Sequence, residues 1–228
     1  MFYSQQVARE QIASFIYLVY GWMAFALSIT AASAYYISVN PAMHNYLFSS
    51  PGLPMLLFAA QIGLVIALSA MIEKLSYATA ITLFVVYAAT LGVTLSTIFF
   101  VYTMESIYAT FAVSAGTFGI MALYGYFTKT DLTAIGSFVL MALWGLILGL
   151  VINIFLQNAM MDFVLSGIGV LLFTALTAYD MQRIKQLANT MIPDEQMRSK
   201  VALIGALTLY LDFINLFLYM LRFMGKRK

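Results

Sequence analysis

The residues from Gln11 to Ile72 include no Asp, Glu, Lys or Arg. A stretch this long without charge cannot form the surface of a water-soluble domain, and it leaves room for two bilayer crossings of about 20 apolar residues each. The whole chain of 228 residues is 63% apolar and only 9% charged, whereas soluble domains carry about 25% charged residues. The sequence therefore predicts an integral membrane protein whose main surroundings are the lipid bilayer.

Seven apolar stretches along the chain are long enough to span a membrane. We place them at approximately 15–37, 54–72, 78–102, 106–127, 132–156, 163–182 and 202–221. All four prolines fall in or at the edge of the breaks between them, as expected for a residue that interrupts helices. The predicted fold class is all-α, with seven transmembrane helices in a single domain, residues 1–228. We interpret 38–53, which contains the only histidine, His44, as a loop.

Composition excludes several classes of function. The net charge of +2 is too small, and the basic residues too scattered, for nucleic-acid binding. The absence of cysteine excludes disulfides and thiolate chemistry. No His or Lys lies within a span to activate a nucleophile, the last span has no lysine for a retinal Schiff base, and the glycine-bearing motif of intramembrane aspartyl proteases is missing. We expect no enzymatic activity and no cofactor.

Basic residues in the breaks indicate the orientation, because they are enriched on the cytoplasmic side. With the N-terminus in the cytoplasm, the first three outer breaks hold no basic residue, and the inner segments hold Arg9, Lys74, Lys129, Arg183, Lys185, Arg198 and Lys200. Seven crossings would leave four basic residues after the last span on the outer side, which the same rule disfavours. We expect a cytoplasmic N-terminus and a last helix that crosses fully.

Small residues at four-residue spacing favour close helix packing in lipid. The fifth span carries Gly145 and Gly149, in one stripe with Asn153 and Gln157 at this spacing. The fourth span carries Gly116 and Gly119, which are three residues apart. We predict a packing role for these glycines.

Two charged residues, Asp180 and Asp212, fall inside the seven windows. Ionisable groups in a membrane are costly and mark functional sites by default. Asp212 lies in a polar stripe of the last span, and Thr177, Asp180 and Arg183 share a face of the sixth by their three-residue spacing. The remaining members of the stripe on the last span are Gly205, Thr208, Asn215 and Tyr219.

If the sixth and seventh spans are antiparallel neighbours joined by a loop at 183–200, their polar faces would pack together. Two adjacent carboxyls with no basic partner tend to share one proton. Protonated, they can hydrogen-bond; doubly ionised, they repel and require water or a cation, which is a two-state element suited to a pH switch. The alternative for Asp180 is a position at the headgroup boundary, where it pairs with Arg183 and ends the sixth helix.

Three segments resemble those of a known family. "LTAYDMQRIK" at 176–185, "LYLDFINLFLYMLR" at 209–222 and "LYGYFTKTDLT" at 123–133 are similar to signature segments of the transmembrane BAX inhibitor motif family, in particular its bacterial branch. The resemblance implies seven helices with the last one central among the other six, a location in the bacterial inner membrane, and a pH-sensitive calcium leak. It also implies that Asp180 and Asp212 form the proton-sensing pair that controls the pore.

Two departures from the family pattern bear on this expectation. Met181 stands where a threonine often follows the first aspartate. The second span has no basic residue to pair with Asp180, Gln61 being its only amide and Lys74 lying just beyond it.

The expected function is a pH-sensitive calcium or cation leak, gated by protonation of Asp180 and Asp212. The pair would also act as a transient calcium site, since calcium prefers carboxylate and carbonyl oxygens, and Thr177, Arg183, Thr208, Asn215 and Tyr219 would support it. Two alternatives remain open. One is a regulator that binds another membrane protein such as a quality-control protease, and the other is a proton-coupled transporter.

Overall fold

A computed structural model describes residues 2–189 and 194–228. Nine helices and no β-strand occur in this part of the chain. In chain order, they are α1 (Phe2–Ser38), α2 (Pro41–Phe48), α3 (Gly52–Met71), α4 (Tyr77–Leu95), α5 (Ile98–Val101), α6 (Met104–Phe127), α7 (Thr133–Leu156), α8 (Ala159–Asn189) and α9 (Glu195–Met224). Seven spans are long and apolar enough to cross a membrane: α1 from Glu10 onward, α3, α4 with α5, α6, α7, α8 and α9. The predicted all-α fold with seven membrane helices is confirmed.

The helix ends differ from the predicted windows. α8 continues to Asn189 and α9 begins at Glu195, so both ends of the predicted loop at 183–200 are helical. Its centre, which includes Pro193, lies outside the described residues. The windows were too short because the hydropathy pattern ends at the first charges, whereas the helical backbone continues past them.

The interpretation of 38–53 as a loop is wrong over its middle part. Pro41 opens α2 in the first helical turn, where proline is favoured because its missing N–H has no helical partner. His44 on this helix is half-buried, and its ring stacks against Phe48 and, at 4.0 Å between ring centres, Phe100.

The chain divides into two compact units. The first comprises the chain up to Val101 together with Ala188–Tyr210, and the second comprises Tyr102–Leu187 together with Leu211–Lys228. The boundary falls within α9, so each unit holds one part of that helix, and it also separates the last two residues of α8 from the rest. The prediction of a single domain over 1–228 stays a prediction.

In the first unit, α1 packs closely on α4 because Gly92 has no side chain. A Cβ there would overlap the Thr30 carbonyl and the Ser33 side chain. Close approach of this kind is typical of small residues in membrane helices. The fully buried Tyr210 of α9 reaches the same place, with its hydroxyl 2.6 Å from the hydroxyl of Thr30.

In the second unit, different glycines allow close packing. A Cβ at Gly125 of α6 would overlap the Ala178 carbonyl of α8, and a Cβ at Gly169 of α8 would overlap the Tyr219 ring of α9. The Tyr219 ring also stacks on Phe173 at 5.5 Å between ring centres. These contacts bring α8 against both α6 and the second part of α9.

The predicted packing role of the regularly spaced glycines is wrong for three of the four. A Cβ on Gly116, Gly119 or Gly145 would meet nothing within 4 Å, and only Gly149 lies against a side chain, that of Leu165. Four-residue spacing arises often among glycines in apolar helices, and it does not say which face of the helix meets a neighbour.

α9 is the most buried of the seven spans. Two-thirds of its most apolar stretch is buried, compared with a third or less for each of the others. The central position that the family resemblance implies for the last helix stays a prediction. A polar residue on α9 therefore faces protein more often than lipid.

Candidate functional site

Asp180 of α8 and Asp212 of α9 lie together in the second unit. Their side chains are within hydrogen-bonding reach of each other, and both residues are buried, with 8% and 5% of their surface exposed. Gly125 and Gly169 account for this geometry, because they let α8 approach its neighbours on both sides of Asp180. The structure thus brings together the two acids that the sequence singles out.

The surroundings of the pair provide no cation in direct contact. Among the described residues, the ion pairs within 4 Å both involve another acid, Asp162. Arg183 is exposed and acts on Asp180 through its charge. A direct ion pair between Asp180 and Arg183 does not occur among the described residues, and α8 continues past Asp180 to Asn189. The position of Asp180 at the headgroup boundary stays a prediction.

Asp212 also has an unsatisfied oxygen. Its Oδ2 atom is fully buried and accepts no hydrogen bond from the described part of the chain. A hydrogen bond between two carboxyl groups needs a proton on one of them, so a single shared proton would satisfy both groups. Without that proton, two negative charges would face each other in a medium that screens them poorly.

Three of the other predicted site residues make hydrogen bonds within their own helices. Thr177 is fully buried and donates to the Phe173 carbonyl, while Thr208 and Asn215 donate to the carbonyls one turn earlier on α9. Tyr219 stacks on Phe173. Thr208 belongs to the part of α9 in the first unit. The stripe supplies polar surface, but none of these bonds reaches the two aspartates.

Gln182 was not among the predicted site residues, although it lies two residues from Asp180. Its side chain accepts from the Leu132 amide at 2.9 Å and donates to the Thr130 carbonyl at 2.8 Å. Lys185, on the same face at i+3, donates to the Tyr126 carbonyl. Together, Lys185 and Gln182 hold the end of α6 and the segment that follows it against α8. Both residues stood in the quoted motif, but a sequence does not show what they contact.

The expected transient calcium site depends on how many oxygen ligands lie together at Asp180 and Asp212. In the described residues, no group of three or more His, Asp or Glu side chains could hold a metal ion. Calcium takes six to eight oxygen ligands in stable sites, and two carboxyl groups fall well short of this. The pair has the donor chemistry for brief contact with a passing cation and too few donors for a resident one.

Gln61, the only amide of the second predicted span, is engaged elsewhere. It is buried and donates to the Thr94 hydroxyl at 2.8 Å within the first unit.

Comparisons with known proteins agree with the motifs. The sequence profile of the family described as inhibitor of apoptosis-promoting Bax1 matches residues 12–228. The chain belongs to the BAX inhibitor motif family. An inner membrane protein of Escherichia coli, YbhL, is 44% identical over 221 residues, which cover 96% of this chain and 94% of that protein. An uncharacterized membrane protein of Streptococcus pyogenes is 34% identical, with 96% and 94% covered.

Proposed function

We propose that this protein is a pH-sensitive cation leak of the bacterial inner membrane, with calcium as the principal ion, gated by protonation of Asp180 and Asp212. The observation that carries the proposal is the contact between two buried carboxyl groups with no cation against them. The name of the E. coli relative as an inner membrane protein supports the location. Intramembrane acids that pair with one another mark ion and proton pathways.

The gate would work through the occupancy of one proton. When a proton bridges the two carboxyls, α8 and the second part of α9 are held together. When both groups are ionised, repulsion separates them and creates a demand for water or a cation, so the open arrangement gains free energy relative to the closed one. A permeant calcium ion would then exchange its water for carboxylate oxygens and leave again, because conduction requires binding weak enough to release.

A cytoplasmic N-terminus is part of the proposal. The four basic residues after the last span disfavour this orientation, because basic residues are enriched on the cytoplasmic side. However, Arg222 and Arg227 both approach Asp162, at 3.5 and 3.6 Å, and this acid offsets one of the four charges. Because the chain has no cysteine, Lys129→Cys and Lys228→Cys can be labelled singly in oriented vesicles. Labelling of Lys228→Cys from the cytoplasmic side would contradict this topology.

Calcium entry into vesicles containing the purified protein and a trapped calcium dye tests the gate. We expect the wild-type rate to change with pH, by about 5- to 150-fold if the coupling has the usual size of 1–3 kcal/mol. Asp180→Asn and Asp212→Asn each remove the shared proton site and should leave a rate that no longer depends on pH. Asp131→Asn, which neutralises an exposed acid between α6 and α7, is the matched control and should behave as wild type.

Two results would count against the leak. An unchanged pH dependence in Asp212→Asn would remove the pair from the gate. Calcium accumulation against its gradient, driven by an imposed pH difference, would favour the proton-coupled transporter, because a leak moves ions only downhill.

A further inference from the structure

A polar cavity of about 450 Å³ opens where α7 ends, α8 begins and α9 runs into the C-terminal tail. It lies wholly within the second unit. Its polar lining residues are Asn153, Gln157, Asn158, Asp162, Arg222 and Arg227. None of them belongs to the site of Asp180 and Asp212.

The charged groups in this cavity are positive in sum. Two guanidinium groups face one carboxylate: Arg222 approaches one oxygen of Asp162 at 3.5 Å, and Arg227 approaches the other at 3.6 Å. These distances exceed those of good charge-assisted hydrogen bonds, about 2.7–2.9 Å. Asp162 therefore holds both guanidinium groups at the cavity without using all of their hydrogen-bond donors. Each arginine retains N–H groups for a further acceptor.

The amide side chains in the lining also present donors. Asn153 Oδ1 accepts from the Asn158 backbone N–H, and Asn158 Oδ1 accepts from that of Met161, both at 3.0 Å. The oxygens of both amides thus have backbone partners, and each side chain keeps an NH₂ group as a donor. A cavity with excess positive charge and N–H donors matches an anion with several acceptor oxygens, as a phosphate has.

The chain terminus is fixed in a way that keeps Arg227 at the cavity. The Lys226 carbonyl accepts from the Thr103 amide at 3.1 Å, and the Lys226 amide donates to the Ser106 hydroxyl at 2.8 Å. Tyr102 and Arg227 form an isolated antiparallel bridge at the same place. The tail therefore runs along the start of α6, which limits the motion of Arg227 before any ligand binds.

The rim of the cavity indicates where the anion comes from. Phe155, Leu156 and Met160 adjoin the lining segment 157–159 in the chain, with 83%, 63% and 72% of their surface exposed. Phe163, which lines it, is half-exposed and stacks on Phe223. Apolar side chains this exposed at the end of membrane helices suit acyl chains. We propose that this cavity binds the phosphate group of an anionic phospholipid, with its acyl chains along the apolar rim.

Native mass spectrometry of the purified full-length protein with added phosphatidylglycerol, phosphatidylcholine or inorganic phosphate tests this site. We expect wild type to retain phosphatidylglycerol in preference to phosphatidylcholine. Arg227→Gln should reduce this retention about fivefold, the effect of one basic residue near an anionic lipid surface. Asp162→Asn should increase it by a similar factor, because it removes the carboxylate that competes for both arginines. Lys129→Gln, an exposed lysine outside the cavity, should change nothing.

The two variants should change phosphatidylglycerol retention in opposite directions, which distinguishes a lipid site from a structural ion pair. If the arginines serve only to hold the segment after α9 in place, Arg227→Gln and Asp162→Asn would both lower thermal stability. The lipid preference would then stay as in wild type, and this result would overturn the proposal. Retention of inorganic phosphate without any preference for phosphatidylglycerol would overturn it as well.

Discussion

At the scale of single residues, the surroundings of each aspartate decide what its carboxyl group can do. Asp131 is exposed and accepts two hydrogen bonds from Thr133, and Asp162 lies between two guanidinium groups. Asp212 is buried with one oxygen that no described donor reaches. The carboxylates of Asp131 and Asp162 have hydrogen-bond donors or cations beside them. The carboxyl group of Asp212 can instead gain a partner through a proton shared with Asp180.

Asp131 provides a prediction about pH. The side-chain hydroxyl of Thr133, at 2.6 Å, and then its backbone N–H, at 2.9 Å, lower the pKa of Asp131 below its ordinary value. A carboxyl with a lowered folded-state pKa stabilises the fold above its unfolded pKa, and this contribution is lost as pH falls through the folded pKa. Thr133→Val removes the stronger bond, so the pKa of Asp131 should rise towards its ordinary value.

Carbon NMR of aspartate-labelled protein, titrated in detergent from about pH 6 to about pH 2 around the ordinary pKa, measures this change. Thr128→Val, in the same segment, is the control and should leave the Asp131 titration in place. An Asp131 pKa that is the same in Thr133→Val and in wild type would show that the hydroxyl does not stabilise the charge.

Gln182 provides a prediction about the two hydrogen bonds that it makes with Leu132 and Thr130 beside Asp180. Gln182→Met keeps the length of the side chain but removes both hydrogen bonds, which leaves the Leu132 amide and the Thr130 carbonyl without their partner. Loss of a partner for a buried polar group costs about 1–3 kcal/mol. Hydrogen exchange at Leu132 should become faster, whereas Gln186→Met, one turn further on and exposed, should have no such effect. Unchanged exchange at Leu132 would mean that the segment is held by other contacts.

At the scale of helices, close approach is set by a few glycines rather than by the regular pattern. Gly125→Ala places a methyl group against the Ala178 carbonyl of α8 and should destabilise the protein by about 1–3 kcal/mol, as overpacking does. Gly116→Ala, on the same helix with open space around it, should be neutral or stabilise by about 0.5–1 kcal/mol through helix propensity. Unfolding in detergent measures both. Equal effects of the two substitutions would contradict the assigned contact.

The helices also show which features a sequence can specify. Lipid demands continuous apolar stretches with internally bonded backbone, so the seven spans were predictable from hydropathy. Their ends were not, because α8 and α9 continue past the first charges. α2 was missed because its eight residues are too few to give a clear pattern in an uncharged stretch.

At the scale of the whole molecule, the candidate site was only partly predictable. Asp180 and Asp212 stood out because charges inside apolar windows are rare, and their polar faces required partners. Whether the two carboxyls meet depends on the tilt and rotation of α8 and α9, which no spacing rule gives. Gln182, Lys185 and the cavity around Asp162 depend on contacts between residues distant in sequence, and the chain gave no signal for those contacts.

The central claim is that the two aspartates share a proton whose loss changes ion passage. Infrared difference spectroscopy of the protein in lipid can follow the protonated carboxyl signal against pH, alongside calcium flux in the same vesicles. We predict that the signal and the flux change over the same pH interval, that Asp212→Asn abolishes both changes, and that Asp131→Asn abolishes neither. A flux that responds to pH while the carboxyl signal stays constant, or a signal that Asp212→Asn leaves intact, would contradict the account.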